Sequence, residues 1–431
     1  MLTELRATNF KAWQDTGKLE LAPITGLFGA NGSGKSSLLQ MLLLLKQTAQ
    51  STDQPQVLNF GDQHSPSSFH DILYRKSKKT QQSIKFGLSW LPTNTSKTTL
   101  LRKNKEIKFE SAISEQNNKI LVDYIKYEFA VHNTKSALQA DYIEVRLENH
   151  DNLYSLSFSD DTLFSAATTP PLQPINNYGI PHYLYDNGHT LLELSQEYLA
   201  QLKSIYYLSS RRDELPRTYL ATGETPQGVG NKGEKTIPAL LAGKQPLQKI
   251  VASWLKKLGL INNFRLKPLA KNRLEYEVLV RQYQNSPEVP ISEAGVGVSQ
   301  VLPILALCHY APQGSTLLIE QPELYLHQSI QAGLADLFIE VTKTRKIQII
   351  FESHSELLLH RLQRYVAKEE LNKDELAFYF CEASKNGSNI ERLDVNEYGC
   401  LTNWPKDFFG NSLDDLIAIN EAIYERKTKN S

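Results

Sequence analysis

Gly29, Gly32, Gly34, Lys35 and Ser36 lie in one run, Gly29-Ala30-Asn31-Gly32-Ser33-Gly34-Lys35-Ser36, with the spacing G-x-x-x-x-G-K-S. That spacing serves the binding of a phosphorylated anion. Glycines let the backbone adopt positive φ and turn successive N–H groups inward onto the anion. A lysine at position 35 reaches β- and γ-phosphates, and a hydroxyl at position 36 is placed to ligate Mg²⁺. With Asn31, Gly32, Ser33, Gly34 and Ser37 completing the cradle, the run implies a nucleoside triphosphate together with Mg²⁺.

A second set of residues supplies acid, base and metal chemistry. Residues 316–320, Thr-Leu-Leu-Ile-Glu, have the Walker B pattern of a buried strand ending in a carboxylate, which makes Glu320 a Mg²⁺ carboxylate opposite Ser36. Gln321 follows at once and Glu323 lies two residues on. Another apolar run, residues 347–352, leads into Ser353-His354-Ser355, and a histidine on such a loop reaches a γ-phosphate. The catalytic candidates are therefore Glu320, Gln321, Glu323 and His354, and the metal candidates are Ser36 and Glu320. Residues 291–300, Ile-Ser-Glu-Ala-Gly-Val-Gly-Val-Ser-Gln, feed a helix. Serines and small residues at a helix N-terminus make a second phosphate-binding surface, or simply a turn.

Elsewhere a structural role competes with a functional one. His327 is either a subunit-contacting residue or a helix start. Arg211, Arg212 and Arg217 either place a cation near phosphate or pair with Asp213 and Glu214. Gln63 is a candidate Mg²⁺-contacting glutamine. The basic stretches at 75–79 and 103–105 either touch nucleic acid or are solvated loops.

These groups need elements to hold them. Residues 24–28 read as a strand delivering the chain to Gly29, and residues 37–45 open an apolar helix whose N-terminus faces the phosphates. Residues 1–10 and 18–21 read as strands, and a polar stretch over 48–66 as a loop. Between 84 and 165, short alternating runs such as 84–88, 107–109, 124–129, 142–147 and 153–158 predict an antiparallel sheet. Residues 236–260 read as helical and 274–280 as a strand. From Gly297 on, helix and buried strand alternate, the order of a parallel α/β sheet.

Composition narrows the class. Lys and Arg number 47, as do Asp and Glu, so no global field points to nucleic acid or membrane. The Cys residues, Cys308, Cys381 and Cys400, lack metal-site spacing, which suits a reducing compartment. The start lacks a signal-peptide pattern and residues 38–45 are too short an apolar run to span a bilayer, so a cytoplasmic protein is expected.

Taken in order, the phosphate loop, Ser/Gly signature, Walker B strand and histidine loop resemble ABC-type ATPase heads. Asn9-Phe10-Lys11 at the opening resembles the SMC/RecF/OLD branch. Glu320-Gln321-Pro322-Glu323 and Ser353-His354-Ser355-Glu356 resemble OLD-like AAA ATPases of bacterial anti-phage defence loci, including Septu-type and retron-associated ATPase subunits. The segment from Tyr398-Gly399 through Trp404 to Phe409 is similar to the C-terminal part of one stand-alone branch. The resemblance covers 1–45 and about 205–410 well, and 50–200 weakly.

The resemblance implies an ABC-type (P-loop) α/β head with a parallel core, an N-terminal antiparallel β-subdomain and an inserted β-rich and helical region. Its expected segments are 1–50 and 201–395 for the head, 51–200 for the insertion and 396–431 packed on the head. It also implies an ATP-sandwich dimer in which Ser299, or alternatively Ser292, meets the partner's γ-phosphate, with His354 as switch histidine. An effector protein such as a nuclease is the expected partner, with any nucleic-acid contact indirect. Two departures matter. ABC-type heads carry a water-activating glutamate where this chain has Gln321, which predicts slow turnover. Too few residues follow the last core elements for a Toprim nuclease of the full-length OLD kind, so none is expected within the chain. The alternatives are a DNA-repair or chromosome-associated ATPase acting on DNA directly, and a nucleotide-gated scaffold with negligible hydrolysis.

Overall fold

A computed structural model of the chain describes residues 1–51, 56–61, 68–75, 83–92, 106–132, 140–150, 153–159, 174, 176–180, 188–220, 223–270 and 274–405. Its centre is a sheet in which Ile205–Leu208, Thr316–Glu320, Gln348–Glu352, Ile24–Gly29 and Leu376–Ser384 lie side by side in that order, all parallel. Gly387–Leu393 closes one edge as an antiparallel hairpin.

The inner strands are short apolar runs because helices and a second sheet cover both their faces. Ile24, Phe28, Leu317, Ile319, Ile349 and Phe351 enter one core with the helices Val296–Tyr310, Gln328–Arg345 and Glu356–Ala367. Their neighbours Leu27, Leu318 and Ile350 enter the other core with the helix Lys35–Gln50 and the antiparallel sheet. The only charges on the two strands Thr316–Glu320 and Gln348–Glu352 are Glu320 and Glu352, at their C-terminal ends. In an open parallel sheet this is the end that faces the ligand crevice.

The second sheet runs Trp13–Asp15, Leu2–Phe10, Ile84–Trp90, Ile107–Gln116, Lys119–His132, Ala140–His150, Leu153–Phe158, with Leu19–Glu20 also on Leu2–Phe10. The strands read from 84 onward therefore extend the sheet that the opening strand begins. Inward residues such as Phe86, Trp90, Phe109 and Tyr127 fill the core on one face, and charged residues line the other. A helix, Gly188–Lys203, sends Leu191, Leu194 and Leu202 into the same core.

Some boundaries differ from expectation. The first helix runs to Gln50, so Thr48 is helical, and its hydroxyl donates to the Leu44 carbonyl. The strand expected at 18–21 is only Leu19–Glu20. Residues 236–260 form two helices, Thr236–Ala242 and Lys244–Lys257, and the strand near 274 is Glu275–Arg281. The latter belongs to a small antiparallel sheet with Thr218–Leu220, Asn263–Pro268 and Val289–Pro290. Among the described residues no helix is long and apolar enough to cross a membrane.

Candidate nucleotide site

The phosphate loop leaves the buried strand Ile24–Gly29 and enters the helix Lys35–Gln50. Two of its glycines are obligatory. Gly29 has φ 134, and a Cβ there would fall 2.0 Å from the Cys381 carbonyl oxygen. Gly34 has φ 94, and a Cβ there would lie 2.9 Å from both Trp13 and the Ser388 hydroxyl. The Trp13 indole N–H donates to the Gly34 carbonyl at 3.1 Å, bracing the loop from behind. Lys35 curls into the loop, its Nζ donating to the carbonyls of Gly29 at 2.9 Å and Ala30 at 2.7 Å. Burial lowers its pKa, and the charge of Glu352 is the strongest influence opposing that shift. Ser33 is buried, Asn31 and Gly32 are exposed, and Ser36 and Ser37 stand half-buried in the first helical turn.

Glu320, at the end of the Walker B strand, has both carboxylate oxygens engaged. The Tyr207 hydroxyl donates to Oε1 at 2.8 Å and the Ser210 N–H to Oε2 at 3.3 Å. Beside it, in register on the next strand toward the phosphate loop, is Glu352. Glu352 is 2% exposed and its Oε2 has no hydrogen-bond partner. Burial and the neighbouring Glu320 raise its pKa to about 7, while the Ser36 hydroxyl, hydrogen-bonding to it, and Lys35 pull the other way. In the sequence Glu352 only closes the apolar run 347–352, and that charged end was the available signal for it.

These donors suit a hard divalent cation, which takes oxygen ligands. Among the described residues no group of three or more His, Cys, Asp or Glu is placed to hold a metal by itself. Mg²⁺ fits that situation, since it binds through one or two carboxylates plus the substrate's phosphates.

Gln321 leaves the Walker B strand with φ 39, a left-handed conformation, and its N–H donates to the Glu352 carbonyl at 3.0 Å. Glu323 turns to the histidine loop, where its Oε1 accepts from the His354 backbone N–H at 2.6 Å. Burial raises the Glu323 pKa. Partial desolvation and the Lys35 charge lower that of His354, favouring the neutral imidazole. One end of the sheet thus gathers Lys35, Ser36, Glu320, Gln321, Glu323, Glu352 and His354.

The signature region is residues 291–300, a short turn followed by the start of a helix. Gly295, at φ 86, precedes the helix Val296–Tyr310. Ser299 donates to the Val296 carbonyl at 2.7 Å, and Ser292 is exposed in the short turn Ile291–Glu293. Arg212 is the residue whose role the sequence showed least clearly. It is 6% exposed, its Nη1 donates to Gln300 Oε1 at 3.2 Å and its Nη2 to the Glu320 carbonyl at 3.1 Å. Burial lowers its pKa to about 10, so it stays cationic at neutral pH. Arg217 lies 3.6 Å from Glu277 rather than pairing with Asp213 or Glu214. His327 caps the helix Gln328–Arg345, accepting from the Ser329 N–H. Gln63, residues 76–79 and 103–105, and the segment from 406 onward lie outside the described residues.

A family of protein of unknown function, DUF3696, matches residues 371–419. No curated protein matches the chain. Among solved structures, the SMC head domain from Thermotoga maritima is 11% identical, with TM-score 0.43, and is covered over 99% of its length by 91% of this chain. An SmcHead bound to the C-winged helix domain of ScpA is 12% identical, with TM-score 0.49, 91% of this chain and 98% of that one being covered. A Pyrococcus furiosus Smc head with an extended coiled coil, bound to the C-terminal domain of ScpA, is 11% identical with TM-score 0.47, over 98% and 99%. The family described as "AAA domain, putative AbiEii toxin, Type IV TA system" matches residues 24–360, from the phosphate-loop strand past His354. That span is most of the 431-residue chain, and the chain belongs to this family of AAA-domain ATPases.

Proposed function

We propose that the chain binds Mg·ATP, dimerises through its nucleotide sites and hydrolyses ATP slowly. In this reading its nucleotide state controls a partner effector, a nuclease, in a bacterial anti-phage defence system. The observation that carries the slow-clamp part is Gln321. Its amide has no basic site with which to take a proton from water. Its backbone is tied to Glu352, and the carboxylate two residues on, Glu323, is engaged with the His354 backbone. In this reading Lys35, Ser36 and Glu320 hold the nucleotide, while the residue after the Walker B acid cannot activate water.

Each residue then has a role in holding nucleotide. Lys35 exchanges the Gly29 and Ala30 carbonyls for phosphate oxygens. Ser36 and Glu320 would hold Mg²⁺, which offsets phosphate charge when bound. A neutral His354 donates one hydrogen bond toward the γ-phosphate. Ser299, or Ser292, would meet the ATP of a second copy. Large apolar side chains exposed near these elements, Val296 at 59% and Tyr325 at 71%, support a face that a second copy covers. The family's toxin–antitoxin description supports a place in defence against phage. The same glutamine supports, as a second reading, a nucleotide-gated scaffold with negligible hydrolysis.

Light scattering with and without Mg·ATP, alongside phosphate release, tests the proposal in the wild type and Lys35→Ala. The expected result is ATP-dependent dimerisation with little phosphate released, lost in the variant. Brisk hydrolysis by a protein whose size ignores nucleotide would overturn it.

A further inference from the structure

We propose that Glu352 is a second acidic residue of the magnesium site, orienting the Ser36 hydroxyl and adding its charge beside Glu320. This rests on the reading of the phosphate loop as a Mg·ATP site, and names a residue which that reading does not include.

Strand order carries the argument. Glu352 ends the strand that lies between the Walker B strand and the phosphate-loop strand, pairing in register with Glu320 on one side and Leu27 on the other. Of the two carboxylates it is one strand nearer the loop. The oxygens of Glu320 are taken up on the opposite side, by Tyr207 and Ser210, which belong to the neighbouring strand Ile205–Leu208 and the turn after it. Glu352 instead has Ser36 as its hydrogen-bonding side chain.

Its other oxygen supplies an independent observation. The side chain is 2% exposed, yet Oε2 has no hydrogen-bond partner. A buried carboxylate oxygen left unpaired is costly, and native structures rarely keep one without a use. Lys35 does not neutralise it by direct contact, because its Nζ is spent on the Gly29 and Ala30 carbonyls and approaches Ser33. A divalent cation at Ser36 answers both facts. Ser36 would offer such a cation an oxygen lone pair while its hydroxyl proton stays donated to Glu352, whose charge would add to that of Glu320. Such supporting acceptors fix a ligand's orientation and raise its basicity.

The test uses Mn²⁺ as the probe, with a non-hydrolysable ATP analogue, in the wild type, Glu352→Gln and Glu352→Asp. Electron paramagnetic resonance gives the Mn²⁺ affinity of the nucleotide complex. Binding of a fluorescent ATP analogue in EDTA gives nucleotide affinity without metal. We expect Glu352→Gln to keep metal-free nucleotide binding within about twofold but to weaken Mn²⁺ by about tenfold or more. Glu352→Asp should recover part of that loss, which a merely structural substitution would not allow. Equal Mn²⁺ affinity in the wild type and Glu352→Gln, with nucleotide bound in both, overturns the role of Glu352 and leaves the nucleotide site standing. A wild type that binds no nucleotide overturns both.

Discussion

Arg212 reaches the side chain of Gln300 at 3.2 Å while holding the carbonyl of Glu320 at 3.1 Å, so one buried cation joins the signature helix to the Walker B strand. A displacement of either element is felt by the other through a guanidinium whose planar fork fixes both directions at once. Replacing Arg212 by Met keeps the apolar stem and strands two acceptors. Each unpaired buried acceptor costs about 1–3 kcal/mol. Urea denaturation should therefore show Arg212→Met destabilised by roughly 2 kcal/mol or more. In a double-mutant cycle with Gln300→Ala, the pair should couple by about 1 kcal/mol. Additive losses would mean that Gln300 and Arg212 are neighbours without a link.

Lys35 tests whether the loop is a phosphate site at all. Its ammonium donates to the Gly29 and Ala30 carbonyls, so removing it frees two loop acceptors and also deletes a charge-assisted contact to phosphate. Such contacts are worth about 1.5–3 kcal/mol, or roughly ten- to hundredfold in affinity. Lys35→Ala should lose that much in fluorescent ATP analogue binding while remaining folded, with a melting temperature lowered by the two loop acceptors it leaves unpaired.

Gly34 makes a steric prediction. An alanine there must hold φ near 94 and place its methyl 2.9 Å from the Trp13 ring. The left-handed backbone alone costs about 1–2 kcal/mol, and the ring contact adds to it. Gly34→Ala should lower both stability and nucleotide affinity. Because the Trp13 N–H braces this very loop, tryptophan fluorescence should also shift.

The sequence displayed what is local and hid what depends on strand order. A phosphate loop is eight consecutive residues whose types state their use, and Glu320 closes an apolar run that reads as a strand by itself. Glu352 closes an equally apolar run, but its closeness to Ser36 follows from its strand lying between two others that are far away in the chain. Parallel pairing across such separations leaves no mark on spacing. Arg212 was visible as one of several arginines after a strand, yet its partner Gln300 is 88 residues on. The left-handed turn at Gln321 had no local hint, since a following Pro322 favours extended backbone at negative φ for the residue before it. Likewise the alternating runs after residue 84 announced strands, while their continuity with Leu2–Phe10 depended on long-range register.

His309 predicts a pH dependence away from the nucleotide site. It is held between the helix Val296–Tyr310, on which it lies, and the nearby Arg345; burial, then that positive charge, lowers its pKa from 6.5 to about 4. Its Nε2 is buried without a partner. The folded state therefore keeps the imidazole neutral while the unfolded chain takes up a proton near pH 6.5. Stability from this residue is present above pH 6.5 and falls as pH drops toward 4. Within that window the folded-to-unfolded ratio should change by up to roughly tenfold per pH unit through this one proton. Denaturation midpoints across the range should show the slope in wild type and a shallower one in His309→Gln.

Gln321→Glu separates a slow ATPase from a scaffold. The residue follows Glu320 directly, has φ 39 and anchors its N–H on the Glu352 carbonyl. Glutamine and glutamate are nearly the same size, so the substitution keeps that backbone while replacing an amide with a group that can accept a proton. General-base assistance is worth about 10²–10⁴-fold when geometry permits. If the site is otherwise built for hydrolysis, Gln321→Glu should release phosphate at least about a hundredfold faster. Its ATP-bound dimer, followed by light scattering, should then be short-lived where the wild type's persists. An unchanged rate with a persistent dimer would show that the position after the Walker B carboxylate does not face the attacking water. The clamp reading would then turn on Glu323, whose Oε1 accepts from the His354 backbone N–H while its buried Oε2 has no partner.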